Sequence, residues 1–252
     1  MTTPRVAGAC ALAALSLATT ACGSPGEADR TAAQILADTR AALATVHTFH
    51  MHGDFQQKEG RTTVDVDVVV PGAVHFAFTQ AQLSGEIVAA GTRVYVKGSR
   101  SFWISSGGTA QAADRLQNRW VSLPVSTQLS ALLDVADPNK VPDCLVGDFG
   151  GKLTKQGTTS VAGKNVVTLS ADGSAPGTAP GRLDVASEGP PLPVRHERTG
   201  LAKAGGSSTC RGGGLSANTQ DTMSGTVDFS NFNGAITVSP PKDAVEESTL
   251  LR

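Results

Sequence analysis

Thr62, Val64, Val66, Val68 and Val70 form an unbroken row of β-branched side chains, with Thr63, Asp65 and Asp67 in the gaps. A period of two belongs to a strand with one apolar and one wet face, and no helix can carry it. The same alternation sets Phe49, Met51 and Phe55 against Thr48, His50, His52 and Asp54, then Val74, Phe76 and Phe78 against His75 and Thr79. Further strands are expected at residues 84–90, 92–97 and 101–105, with Gly53, Gly72, Gly85, Gly91 and Gly98 among the breaks. An antiparallel sheet of this kind must hide its oily face against something.

Two segments switch to a helical period and supply the cover. Thr31 and Gln34 have the spacing of a capping box, and Ile35, Thr39, Ala42, Leu43 and Val46 then recur along one face. Leu129, Leu132, Leu133 and Ala136 repeat the pattern until Asp137-Pro138 stops it. Strands are expected to resume at residues 144–154, 160–170, 181–186, 193–199, 226–230 and 235–238, before Pro240-Pro241. Residues 171–180 and 200–225, rich in Gly, Ser, Ala and Pro, read as surface loops. No internal repeat or linker divides the chain, so residues 31–252 are expected to form a single domain.

The 252 residues carry 21 Lys+Arg against 22 Asp+Glu, a formal charge of −1. That balance excludes a protein that lives on nucleic-acid phosphates, and an apolar content of 40% is enough to bury a core. Continuous apolarity is confined to Val6 through Ala18, after the cationic Arg5. Such a run is too short for a mature transmembrane helix and suits a secretory signal. It ends in Thr19-Thr20-Ala21-Cys22-Gly23-Ser24, which resembles the lipobox of bacterial lipoproteins, although Thr19 stands where Leu is usual. Residues 1–21 would then be a lipoprotein signal peptide, Cys22 the lipidated first residue, and residues 22–30 a flexible tether. An ordinary signal peptide with an incidental Cys is the alternative. Acyl groups such as palmitate, worth ~0.8 kcal/mol per buried CH₂, would hold the chain on the extracytoplasmic face of the cell membrane. Cys144 and Cys210 remain after export, and the simplest state for two thiols outside the cytoplasm is one disulfide.

Candidate chemistry is sparse. His50 and His52 share a strand face, and His75 lies on the polar face of a nearby strand, so three imidazoles approach a zinc or copper set; alternation alone explains them as wet-face residues. Asp65 and Asp67 read the same way beside an acid–base pair. There is no G-x-S-x-G and no phosphate loop in a strand–turn–helix setting, and Trp103 and Trp120 are isolated. No catalytic residue, metal or cofactor is therefore expected. A broad aliphatic sheet face under Ala-rich helices suits acyl chains if the space between them is incompletely filled, and is plain core if it is filled.

The order of elements resembles the LolA-like superfamily, and within it the actinobacterial envelope lipoproteins of the LppX/LprG type. The likeness is carried by the capped helix after the lipobox and by Thr92-Arg-Val-Tyr-Val-Lys-Gly98 and Trp120-Val-Ser-Leu-Pro124. It continues in Val161-Ala-Gly-Lys-Asn-Val-Val167, Leu192-Pro-Val-Arg-His-Glu197, Val227-Asp-Phe-Ser-Asn-Phe232 and Ile236-Thr-Val-Ser-Pro240. The resemblance implies an α+β fold: a strongly curved antiparallel β half-barrel with helices covering its concave face and a hydrophobic cavity for lipids or acyl chains.

On that reading the chain is a membrane-anchored lipoprotein that binds and transfers lipids, with no enzymatic step. Val66, Val68, Phe76, Phe78, Ile87, Val94 and Val96 would line the site from the sheet. Leu129, Leu132 and Leu133 would close it, with Val167 and Leu169 on the far side. Its partners would be lipid or glycolipid acyl chains, the plasma membrane through the anchor, and a membrane transporter. Two rivals stand beside it: an envelope sensor or scaffold that binds another protein without cargo, and an enzyme acting on envelope material through His50, His52 and His75.

Overall fold

The computed structural model describes residues 27–57, 60–125, 130–206, 210 and 222–246. A 3-10 turn at Glu27–Asp29 leads into helix α1 (Ala32–Leu43). The capping box is formed: Gln34 N–H donates to the Thr31 hydroxyl at 3.3 Å, and the Thr31 N–H donates to Gln34 Oε1 at 2.9 Å. Ile35, Leu36, Thr39 and Leu43 make its buried face.

A six-strand meander follows: β1 (Thr48–Gln57), β2 (Gly60–Val69), β3 (Ala73–Gln80), β4 (Leu83–Ala90), β5 (Arg93–Gly98) and β6 (Val121–Pro124). Helices α2 (Arg100–Ser105) and α3 (Ala110–Leu116) separate the last two. A 3-10 helix (Ala131–Ala136) and α4 (Val141–Val146) precede β7 (Leu153–Val161), β8 (Lys164–Asp172), β9 (Pro180–Ala186) and β10 (Pro193–Arg198). The chain then returns in β11 (Thr222–Ser230) to pair with β1, and β12 (Val245–Glu246) lies parallel to β6. All twelve strands form one sheet, ordered β12-β6-β5-β4-β3-β2-β1-β11-β10-β9-β8-β7.

Register turns the alternation into continuous rows. Phe49 pairs with Val68 and Val68 with Val74, while Met51 pairs with Val66 and Val66 with Phe76. The row through Met51 continues to Phe229 on β11. These side chains meet Ile35 and Leu43 of α1 and Leu145 and Val146 of α4 in one large cluster. Burial of each such side chain contributes about 2 kcal/mol. Cys144 of α4 is disulfide-bonded to Cys210, 66 residues on, which ties the long excursion after β10 to the core.

Three segments depart from the expected elements. Residues 101–105, expected as a strand, lie in helix α2, where the Ser99 side chain accepts from Phe102 N–H. The start of the expected strand 144–154 is helical, because Val141, Cys144 and Leu145 fall on one buried helix face. Residues 235–238 form no strand. Asn231 and Asn233, both at positive φ, turn the chain off the sheet edge as β11 ends.

Candidate functional site

The concave face is not covered evenly. Around β1, β2, β8, β9 and β11 the large cluster is closed; Val66, Val68, Val167 and Leu169 are at most 3% exposed, so they face no water-sized void. A second, small cluster holds Ala89, Val94 and Val96, again nearly inaccessible. Between the two lies a strip of half-buried apolar side chains: Phe76 and Phe78 on β3, Ile87 on β4 and Leu133 from the 3-10 helix. Leu133 packs against both clusters and bridges them. Phe76 and Ile87 are direct cross-strand partners, so the strip crosses the sheet without interruption.

Aromatic rings extend it toward α2. The centroids of Phe76 and Phe78 are 5.8 Å apart, those of Phe78 and Phe102 5.8 Å, and those of Phe102 and Trp103 5.2 Å. The rings lie on glycine. Gly85 opposes both Phe78 and Gly98 across the sheet, and a methyl group at Gly85 would stand 2.7 Å from Phe78 Cε1. At Gly98 it would collide with the Phe102 ring. Only a residue without a side chain leaves room for these rings against the backbone. The Trp103 indole N–H donates to Leu116 O at 3.2 Å, joining α2 to α3.

Of the expected lining residues, Phe76, Phe78, Ile87 and Leu133 are thus gathered on the half-buried strip, and Leu132 is half-buried beside Leu133 in the 3-10 helix. Val66, Val68, Val94, Val96, Val167 and Leu169 lie inside the packed clusters, where a ligand meets them only if the cover lifts. Leu129 and Cys22 fall outside the described residues. Phe102, Trp103, Leu123 and Val125 pack against the small cluster and were not among the expected lining residues. Ser99, a helix cap three residues before Phe102, was the signal for the first two.

On the convex face the three histidines meet acids instead of one another. His50 Nδ1 lies 2.8 Å from Asp67 Oδ1, and His52 Nδ1 lies 2.8 Å from Asp65 Oδ1. His75 Nε2 lies 3.5 Å from Glu86, which also accepts from Lys97 Nζ at 2.8 Å. The Lys97 bond holds the Glu86 carboxyl below its ordinary range against the opposing cost of burial, with His75 assisting. Among the described residues no three His, Cys, Asp or Glu side chains form a metal-holding group. Two recesses have polar floors. One of 760 Å³ is lined by His52, Asp54, Arg61, Arg195, Glu197 and Asp228, among others, and one of 240 Å³ includes Asp65, Glu86 and Lys97.

A cluster of charged side chains is buried beside α4. Asp148 Oδ1 is 4.0 Å from His196 Nδ1 and its Oδ2 is 3.9 Å from Arg198 Nη1, all three side chains at most 6% exposed. Arg198 Nε donates to Gly200 O at 2.8 Å. Burial pulls the Arg198 guanidinium below its ordinary pKa, with the Asp148 charge opposing. Facing Phe149 edge-on, His196 completes a polar knot beside the disulfide-bonded helix α4.

No family model matches the chain, and among curated proteins no relative matches. Solved structures do. LprF from Mycobacterium bovis is 14% identical over 83% of this chain and 96% of its own, with a TM-score of 0.52. The lipoprotein LppX of Mycobacterium tuberculosis is 16% identical over 82% of this chain and 99% of its own, at 0.47. A LolA superfamily protein from Nitrosomonas europaea is 13% identical over 82% and 95%, at 0.28. The likeness to LprF, together with the strand order, establishes the architecture. The fold is like that of LprF: a curved, almost wholly antiparallel half-barrel with helices on its concave face.

Proposed function

We propose that this chain is an envelope lipoprotein, anchored on the extracytoplasmic face of the cell membrane through acyl chains on Cys22, that carries a lipid by its alkyl chain. The chain lies along the strip of Phe76, Phe78, Ile87 and Leu133, is released to a partner such as a membrane transporter, and undergoes no covalent step. One observation supports the reading above others: the face of the sheet that should be fully covered leaves a connected apolar strip half-exposed between two closed clusters. An alkyl chain covers such a strip with no polar readout. Each methylene removed from water contributes about 0.8 kcal/mol, so six contribute about 5 kcal/mol. Selectivity then comes from the length and width of the groove. Among the described residues no helix is long and apolar enough to cross a membrane.

The test is extraction of lipid from protein purified from its own host, followed by titration with a fluorescent fatty-acyl probe. Co-purified lipid and saturable probe binding are expected. Ile87→Asn with Leu133→Asn should weaken the probe by tenfold or more, since each places an unmatched amide against an alkyl chain. Protein that carries no lipid and takes up no probe ends the reading, and leaves the docking module without cargo as its successor. That rival has its own support in β7, an edge strand exposed from Thr154 to Ser160.

A further inference from the structure

The corner formed by α2 and α3 combines three properties found together nowhere else among the described residues. It is cationic: from Gly98 to Trp120 the charged residues are Arg100, Arg115 and Arg119 against Asp114 alone, in a chain whose overall charge is −1. It is apolar at its tip, where Ile104 is 41% exposed, one of two exposed large hydrophobic side chains. And it is continuous with the groove, because Phe102 and Trp103 of the same helix begin the ring series that ends at Phe76.

Geometry brings these properties to one surface. Arg100 and Ile104, four residues apart, share the outward face of α2, while Phe102 and Trp103 turn inward. Arg100 is ion-paired with Asp114 of α3, whose next residue, Arg115, is exposed. Asn118 N–H donates to Gly98 O at 2.9 Å and so places Arg119 next to the start of α2. Lys97 Nζ lies 5.6 Å above the half-buried Trp120 ring.

We propose that this corner is the surface by which the protein docks on an anionic lipid bilayer, with Ile104 entering the headgroup layer and the guanidinium groups pairing with lipid phosphates. The inference rests on the lipid-binding reading of the groove and assigns its entrance. A cationic surface with an apolar tip is the composition that interfacial helices use at anionic membranes, and each Arg near such a surface is worth about a fivefold gain in partition. A few residues of this kind give weak, reversible contact, which suits a carrier that must leave again.

The test uses the chain from Gly23 onward, which keeps every described residue and lacks the anchor. It is sedimented with phosphatidylglycerol–phosphatidylcholine vesicles and with phosphatidylcholine vesicles. Binding is expected only to the first and should fall with added salt. Arg115→Gln with Arg119→Gln should lower it about twenty-five-fold at two fivefold steps, and Ile104→Ser should lower it further. Acyl-probe transfer out of vesicles should slow in parallel, while uptake of the probe from free solution stays at the parent's level. Equal binding to both vesicle types, unchanged binding by the arginine variant, or no vesicle binding by the parent overturns the assignment; the last is also what a corner built for an acidic protein would give. Failure of the parent to take up probe from solution counts against the groove, whatever the vesicles show.

Discussion

Glu86 shows how a single side chain on the convex face is bound into the sheet. It lies between Lys97 on β5 and His75 on β3, and its carboxyl is held below the ordinary range chiefly by the Lys97 bond. A carboxyl depressed in the folded state contributes stability above its unfolded pKa and loses it as pH falls through the folded value. Glu86→Gln should therefore lower the urea midpoint at pH 6. The gap to the parent should close as the medium is acidified below about pH 4. Equal gaps at both ends of that range would remove the Lys97–Glu86 pair from the stability of the sheet. Solvent screening keeps the effect modest, because both side chains are about one-third exposed.

At the scale of elements, the Cys144–Cys210 bond ties α4 to the excursion between β10 and β11. Closing 66 residues of chain is worth roughly 4 kcal/mol in the unfolded-state model. Cys144→Ser with Cys210→Ser should thus lower the melting temperature by about 10 °C. Calorimetry checks this: reductant should lower the parent's midpoint to that of the double-serine variant and leave the variant's own midpoint unchanged. The strands were legible because their period of two survives wherever one face is wet. Val194, His196 and Arg198 likewise fall on one face of β10, so the inward turn of His196 and Arg198 was written in the alternation, although their meeting with Asp148 depends on tertiary contact. The short helices were harder to read. Residues 100–105 offer fewer than two turns, and Phe-Trp-Ile has as much strand as helix preference, so only the Ser99 cap distinguishes them. Residues 141–146 hold Pro142 in the first turn, a start signal that the apolar stretch around it concealed. The site was legible in part: alternation marks Phe76, Phe78 and Ile87 as inward, but which inward residues stay half-covered depends on where the helices end.

The whole molecule has a thick end and a thin end. The large cluster spans β1, β2, β8, β9, β11, α1 and α4, whereas three buried residues, Ala89, Val94 and Val96, form the centre of the small one. Local opening costs least where few apolar contacts oppose it. Amide exchange of the unliganded protein should be slowest in β1, β2 and β8 and faster in β4, β5, α2 and α3, with the fast set gaining protection when an acyl ligand is added. Uniform protection across the sheet would contradict that division. The glycine floor beneath Phe78 and Phe102 fixes how deep the thin end can be. A methyl group at Gly85 or Gly98 would have to displace one of these rings, reshaping the apolar strip from below while leaving the backbone ladders of β3, β4 and β5 to be kept or lost as a separate matter.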